Sequence, residues 1–183
     1  KQNLIDKIGL VPQKTELFAG TILDNLRWGN ETLSEDDAWT ALKIAQADSF
    51  VKEKEEGLNA KVEPGGRNLS GGQRQRLTIA RAIVRHPEIL ILDDSFSALD
   101  FATDAALRKS LKESEQSTTV FMVSQRTSTI MHADQILVLD DGRLAGIGTH
   151  EQLMKTCEVY QEIRWSQVPE ERPKDNATLE VSL

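Results

Sequence analysis

The sequence predicts an α/β fold, a mainly parallel sheet flanked by helices, on three observations. Ile89–Leu92 is an unbroken apolar run ending in Asp93-Asp94, the pattern of a strand buried on both faces of a parallel sheet. Thr119–Ser124 and Gln135–Asp140 read as further strands, and a helical stretch from Phe101 to about Glu115 separates the first two. Strand, helix, strand is the order of a right-handed crossover unit.

The remaining elements follow in chain order. Ile8–Val11 is a short apolar run stopped by Pro12. Thr21–Leu26 and Ser34–Ala45 read as helices, the second opened by Ser34 as N-cap with Asp37 three residues on. Lys52–Arg67 is charged and glycine-rich, which predicts a surface connection. A long helix runs from Ser70 to His86 with Leu77, Ala80 and Val84 on one stripe, and Pro87 ends it. Asp141-Gly142 predicts a turn into Arg143–Gly148 and hence a hairpin. Thr149–Trp165 reads as one helix, and 166–183, with Pro169 and Pro173 but no periodicity, as an unstructured tail.

Composition bounds the function. The 183 residues are 39% hydrophobic and 28% charged, enough for a core, and the net charge of −7 excludes bulk attraction to nucleic acid or an anionic membrane surface. One cysteine, Cys157, excludes an internal disulfide. No run approaches the ~18 apolar residues a membrane span needs, so direct membrane insertion is not expected. The first residues have neither an initiator methionine nor a signal peptide's apolar stretch, which leads us to expect a chain that begins partway through something larger. The arginines Arg74, Arg76, Arg81 and Arg85, at helical spacing on an acidic chain, are expected to form a solvated face. His86, His132 and His150 have no partner set of a metal or catalytic site, and surface or helix-end roles are expected.

The chemistry concentrates in two places. Leu69-Ser70-Gly71-Gly72-Gln73 opens the long helix, where two glycines leave backbone N–H groups open, Ser70 can cap or donate, and the helix dipole favours an anion. Alone this is a glycine-rich turn before a helix. Sixteen residues past Gln73, however, Ile89–Leu92 delivers Asp93 to the carboxyl end of a strand, where ligands bind in open α/β sheets and where a carboxylate suits Mg²⁺.

These residues resemble the motifs of ATP-binding cassette (ABC) ATPases. Leu69–Gln73 is similar to the family's signature, Ile89–Asp93 to the Walker B strand, and Ser97–Asp100 to the D-loop. Val11-Pro12-Gln13 resembles the Q-loop, and Leu17–Leu26 the segment that meets the coupling helices of transmembrane domains in exporters. Val62–Asn68 resembles the exporter X-loop, with Pro64 in place of the usual acidic or amide residue and Glu63 as the candidate contact. The resemblance covers about residues 8 to 165. It implies an incomplete ABC-type P-loop NTPase fold with an α-helical signature subdomain at about 14–86, and places a partial nucleotide-binding domain at 1–165. It further implies ATP and Mg²⁺ as cofactors, Gln13 and Asp93 on the metal, and Gln13, Ser70, Gly71, Gly72, Gln73 and Asp100 on ATP. Asp94 and Gln125 fall at the catalytic positions. The implied partners are a second nucleotide-binding domain stacked head to tail and transmembrane domains, at the cytoplasmic face of the cell membrane.

Three departures sharpen that reading. No Gly-x-x-x-x-Gly-Lys-[Ser/Thr] occurs, so the loop that cradles the phosphates is absent and weak ATP binding is expected of the chain alone. Asp94 stands where the family has a glutamate, one methylene longer, and a base about 1 Å out of place can cost on the order of 10²-fold. Gln125 stands where the family has histidine and can neither carry charge nor pass a proton. An intact signature beside weakened catalytic residues resembles the degenerate half of a heterodimeric exporter, paired with a non-identical subunit. The alternatives are the head-domain lobe of a chromosome-maintenance or DNA-repair ATPase, an importer ATPase, and a non-catalytic interaction domain. Against the first stand the exporter-like flank of Gln13 and the absence of a coiled-coil heptad run; that flank also disfavours an importer, and retention of Gln13, Asp93 and the signature argues against a pure scaffold.

Overall fold

The computed structural model describes residues 5, 7–114 and 118–173. The chain divides into two compact units, residues 1–125 and 126–183.

The first unit is built on a parallel sheet ordered β1 (Ile8–Val11), β4 (Ile89–Asp93), β5 (Thr119–Val123). The register pairs Val11 with Leu92, and Asp93 with Val123. A second, antiparallel pair joins β2 (Gly20–Thr21) to β3 (Lys61–Val62). Around them lie α1 (Ile22–Leu26), α2 (Glu35–Ile44), α3 (Asp48–Lys52), α4 (Gly71–Ile83) and α5 (Phe101–Glu113). One core unites Leu26, Leu42, Leu77, Ile79, Leu90, Leu92, Phe96 and Leu107, all within 2% of full burial.

Local chemistry sets the helix boundaries. Ser34 accepts from the Asp37 N–H, as its N-cap position requires, and Asp100 does the same for the Thr103 N–H at 2.9 Å. Thr21 and Asp24 form a capping box on α1. The long helix is shorter than its pattern, Gly71–Ile83, because Val84 is its C-cap and His86 adopts φ +50° before Pro87. The end expected for α5 near Glu115 falls at 115–117, outside the described residues.

Three expectations for this unit are corrected. Lys52–Arg67 is not a plain surface connection: Leu58, Ala60 and Val62 alternate into the core, and Val62 pairs with Gly20. The intervening charges hide that period of two. β4 is fully buried on one face only, at Leu90 and Leu92, with Ile89 and Ile91 half-buried. On the neighbouring strands Leu10, Phe121 and Val123 are more than half exposed, since no described element of this unit covers that face. The arginines do not form a solvated face either. Arg74, Arg76 and Arg81 are half-buried and spend their guanidinium groups on loop carbonyls, and Arg85 is exposed.

The second unit contains α6 (Thr127–Ile130), the antiparallel hairpin of β6 (Ile136–Asp140) and β7 (Arg143–Gly148), α7 (His150–Thr156) and α8 (Glu158–Gln167). Ile136 and Val138 face Leu153, Cys157 and Tyr160 in a small core. The single helix expected at Thr149–Trp165 is two, because Cys157 is extended (φ −124°, ψ 101°). Ser166 and Gln167 belong to α8, and Pro169–Glu171 make a 3₁₀ turn held by Arg164, whose Nε lies 2.7 Å from Glu171. The rest of the expected tail, 174–183, lies outside the described residues.

Candidate functional site

Parallel pairing puts the carboxyl ends of three adjacent strands side by side, and the candidate residues follow those ends. Gln13 lies two residues beyond β1, Asp93 closes β4 with Asp94 after it, and Gln125 lies two residues beyond β5. Gln13 and Gln125 are exposed, and Asp93 and Asp94 half-buried. The edge is therefore polar, open on one side and lined by two carboxylates and two amides.

Hydrogen bonds fix the strand ends to one another. The buried Ser95 hydroxyl is 3.3 Å from both the Val11 and the Asp93 carbonyl, which joins the exit of β4 to the entrance of the Gln13 loop. The Asp94 N–H donates to the Val123 carbonyl at 3.0 Å, and the Asp94 carbonyl accepts from the Ser97 hydroxyl at 2.9 Å. Between these anchors Asp94 has φ +44°, the left-handed region in which aspartate is one of the few tolerated residues without a glycine's freedom.

At the head of α4, Ser70 and Gln73 form a capping box. The Ser70 hydroxyl accepts from the Gln73 N–H at 3.2 Å, and Gln73 Oε1 accepts from the Ser70 N–H at 3.0 Å. Each side chain keeps donors for a ligand: the Ser70 hydroxyl proton and the Gln73 amide NH₂. The two glycines differ. A Cβ on Gly72 would sit 3.4 Å from the Ala98 carbonyl, so the helix start packs on the segment Ser97–Asp100. A Cβ on Gly71 would meet nothing within 4 Å. The first turn thus has open space at Gly71, while its Gln73 N–H is taken by the Ser70 cap.

Asp100 has a structural duty. Its two oxygens take the Thr103 N–H and hydroxyl, and the Thr103 backbone bond, first among the causes, holds its carboxyl below the usual range. Arg76 stands between the two segments. It donates to the Gln46 carbonyl at 2.6 Å and the Gly72 carbonyl at 3.3 Å, and lies over the Phe50 ring at 5.0 Å. Burial pulls its pKa down, opposed by the charge of Asp100.

The Pro-Gly-Gly segment is pinned rather than loose. Asn68 closes it by accepting from the Glu63 N–H and donating to the Lys61 carbonyl, and a Cβ on Gly66 would lie 2.8 Å from Arg74 Cδ. Glu63 itself is exposed. Beside it, Phe18 is stacked on Trp28 at 4.0 Å and 14°, and its backbone is held in both directions by the buried Asn25.

His86 lies three residues past the end of α4, His132 is exposed, and His150 Nδ1 lies 2.9 Å from the Tyr160 hydroxyl. Among the described residues no group of three or more His, Cys, Asp or Glu side chains could hold a metal. Ser95, Asn25 and Arg81 are the positioning side chains that sequence reasoning missed: Ser95 and Arg81 act through carbonyls 84 and 65 residues away, and Asn25 through the irregular backbone at Phe18, which no sequence period marks. No described helix is long and apolar enough to cross a membrane.

Residues 1–97 match the sequence pattern of the ABC transporter family. The chain is 47% identical over 169 residues to the uncharacterized ABC transporter ATP-binding protein Rv1273c of Mycobacterium tuberculosis, covering 91% of this chain and 29% of that protein. It is 42% identical over 156 residues to a putative export ATP-binding/permease protein of Rickettsia felis, covering 85% of this chain and 27% of that one. Among solved structures it superposes on a bacterial Atm1-family ABC exporter with ATP bound, at a TM-score of 0.84 and 36% identity, over 89% of this chain and 29% of that chain. The chain therefore spans about three tenths of the length of the relatives it matches.

Proposed function

The chain belongs to the ABC transporter family, and from that premise we propose that it is the ATP-binding, ATP-hydrolysing energy-coupling module of an exporter, forming one half of a head-to-tail pair of nucleotide-binding domains. The observation that carries the reading is the alignment of Gln13, Asp93, Asp94 and Gln125 along the carboxyl ends of three neighbouring strands. The helix start at Ser70–Gln73 lies open at Gly71, as a surface that completes a partner's site would.

The donor set fits Mg²⁺. Asp93 offers one carboxylate and Gln13 an amide oxygen, and this cation is habitually bound through one or two carboxylates, with water and phosphate oxygens filling the rest. Bound Mg-ATP supplies the scissile phosphate bond and the charge to be neutralised. In this assignment Gln13 and Asp93 orient the cation, Asp94 polarises the attacking water, and Gln125 donates an amide hydrogen bond to the terminal phosphate. Ser70, Gly71, Gly72 and Gln73 present donors to nucleotide held by the partner, and Asp100 lines the boundary between the two. The shorter arm of Asp94 and the neutral Gln125 make this chain's own half-site slow, so the partner is a non-identical subunit with a competent site. Transmembrane domains dock through coupling helices at the Phe18 flank and Glu63, at the cytoplasmic face of the membrane. Residues 1–165 form the partial nucleotide-binding domain and 14–86 its helical subdomain.

Gly71→Asp tests the reading. Because its Cβ has open space, the substitution should leave the melting temperature within about 2 °C of the parent. In the assembled transporter it should remove most ATP hydrolysis, by charge repulsion against phosphate at the partner's site. Unchanged hydrolysis in a folded variant overturns the assignment.

A further inference from the structure

Glu16, Leu17 and Phe18 are consecutive residues whose carbonyls are held by three different parts of the first unit. The Glu16 carbonyl accepts from Arg81 Nη2 at 2.9 Å, the Leu17 carbonyl from the Gly65 N–H at 3.0 Å, and the Phe18 carbonyl from Asn25 Nδ2 at 3.0 Å. Arg81 makes the bond that comes from α4. Its guanidinium also lies 5.4 Å from the centroid of the Phe18 ring, which is itself stacked on Trp28. Arg81 Nη1 is buried with no hydrogen-bond partner among the described residues. The group's placement is therefore set by one carbonyl, one ring and the charge of Glu16 rather than by a saturated hydrogen-bond network.

Position in the chain gives this contact leverage. Glu16 is three residues from Gln13, and Arg81 is eight residues past Gln73 on an unbroken helix, about 12 Å along its axis. Nothing soft lies between Arg81 and the capping box at Ser70 and Gln73. A parallel connection runs from Leu17 through Gly65 and Gly66 to Arg74, but it ends on a longer contact of 3.4 Å.

We propose that Arg81 is the positioning residue that locks the arm descending from Gln13 onto the signature helix, so that the two segments move as one body. A lysine does not replace it. The planar fork reaches a carbonyl while its central carbon lies over a ring, and an ammonium is a point charge without a plane. The consequence for transport rests on the function proposed above: displacement of the Phe18 flank by a membrane partner is passed to Ser70–Gln73 through this contact.

Hydrogen–deuterium exchange on the full chain tests the lock without reference to activity. Arg81→Met keeps the aliphatic stem and removes the fork. We expect amide exchange at residues 16–18 and at residues 70–76 to quicken together, about fivefold, because both segments lose the same local restraint. Arg81→Lys should give a smaller rise, again in both segments, and carries the test if the methionine variant does not fold. A folded variant in which 70–76 exchange as in the parent overturns the proposal, as does a rise confined to 16–18. In the assembled transporter Arg81→Met should raise the ATP hydrolysed per substrate moved about tenfold, since a coupling of 1–3 kcal/mol is a factor of about 5–150. A parent transporter that hydrolyses no ATP removes the function proposed above and leaves the exchange result standing. A working transporter without the paired exchange removes the lock alone.

Discussion

Asp94 joins backbone conformation to chemistry in one side chain. Its φ of +44° is fixed by a hydrogen bond on each side, to Val123 and from Ser97. A left-handed residue with a Cβ costs about 1–2 kcal/mol, and aspartate is among those that bear it best because its short carboxylate bonds locally. The family's glutamate would reach about 1 Å further toward a water but with less of that local support. We therefore expect Asp94→Glu together with Gln125→His to raise turnover at this chain's own site by on the order of 10²-fold, at a loss of a few degrees in melting temperature. The rate is read in the assembled transporter with the partner's catalytic site disabled, and no increase sinks the geometric account. The identity of this residue and its place after Asp93 were legible in the sequence. The sign of φ was not, because it follows from hydrogen bonds to a strand about thirty residues away.

Helix beginnings were legible because their causes are local. Ser34, Ser70 and Thr149 each accept from the N–H three residues on, a contact that sequence spacing alone predicts. The pairing of β2 with β3 was not, since two residues on each side leave too short a pattern and their partners lie forty residues apart. The end of α8 is set by an ion pair that is equally invisible: Arg164 holds Glu171, and the hydrogen bond from Arg164 keeps the Glu171 carboxyl below its ordinary value. A carboxyl that titrates lower folded than unfolded contributes stability above its unfolded value of about 4.3, and loses it as pH falls through the folded one. Helix content of the second unit should therefore drop on acidification below about pH 4, and Glu171→Gln should flatten that dependence. Circular dichroism between pH 3 and 6 reads both, and an unchanged slope in the variant refutes the account.

At the scale of the molecule, the sequence carries signature, Walker B, D-loop and Q-loop residues but no phosphate-cradling lysine loop. The strand ends present two amides that can donate to a phosphate and two carboxylates that repel it, so no group there neutralises its charge. Mg-ATP should therefore bind this chain alone only weakly, and a calorimetric titration giving micromolar affinity would refute that. The fold class was readable from Ile89–Asp93 and its neighbours, whereas the coverage of the sheet was not. An apolar run looks the same whether one face or both are covered, and only the structure distinguishes Leu92, fully buried, from Val123, 55% exposed. The empty space beside Gly71 has a practical side as well. Cys157, the sole native thiol, is 5% exposed, so a thiol introduced by Gly71→Cys would be the reactive one. A fluorophore attached there would sit at the open mouth of the signature turn and change brightness when a second domain closes over it, making assembly visible as an optical signal in real time.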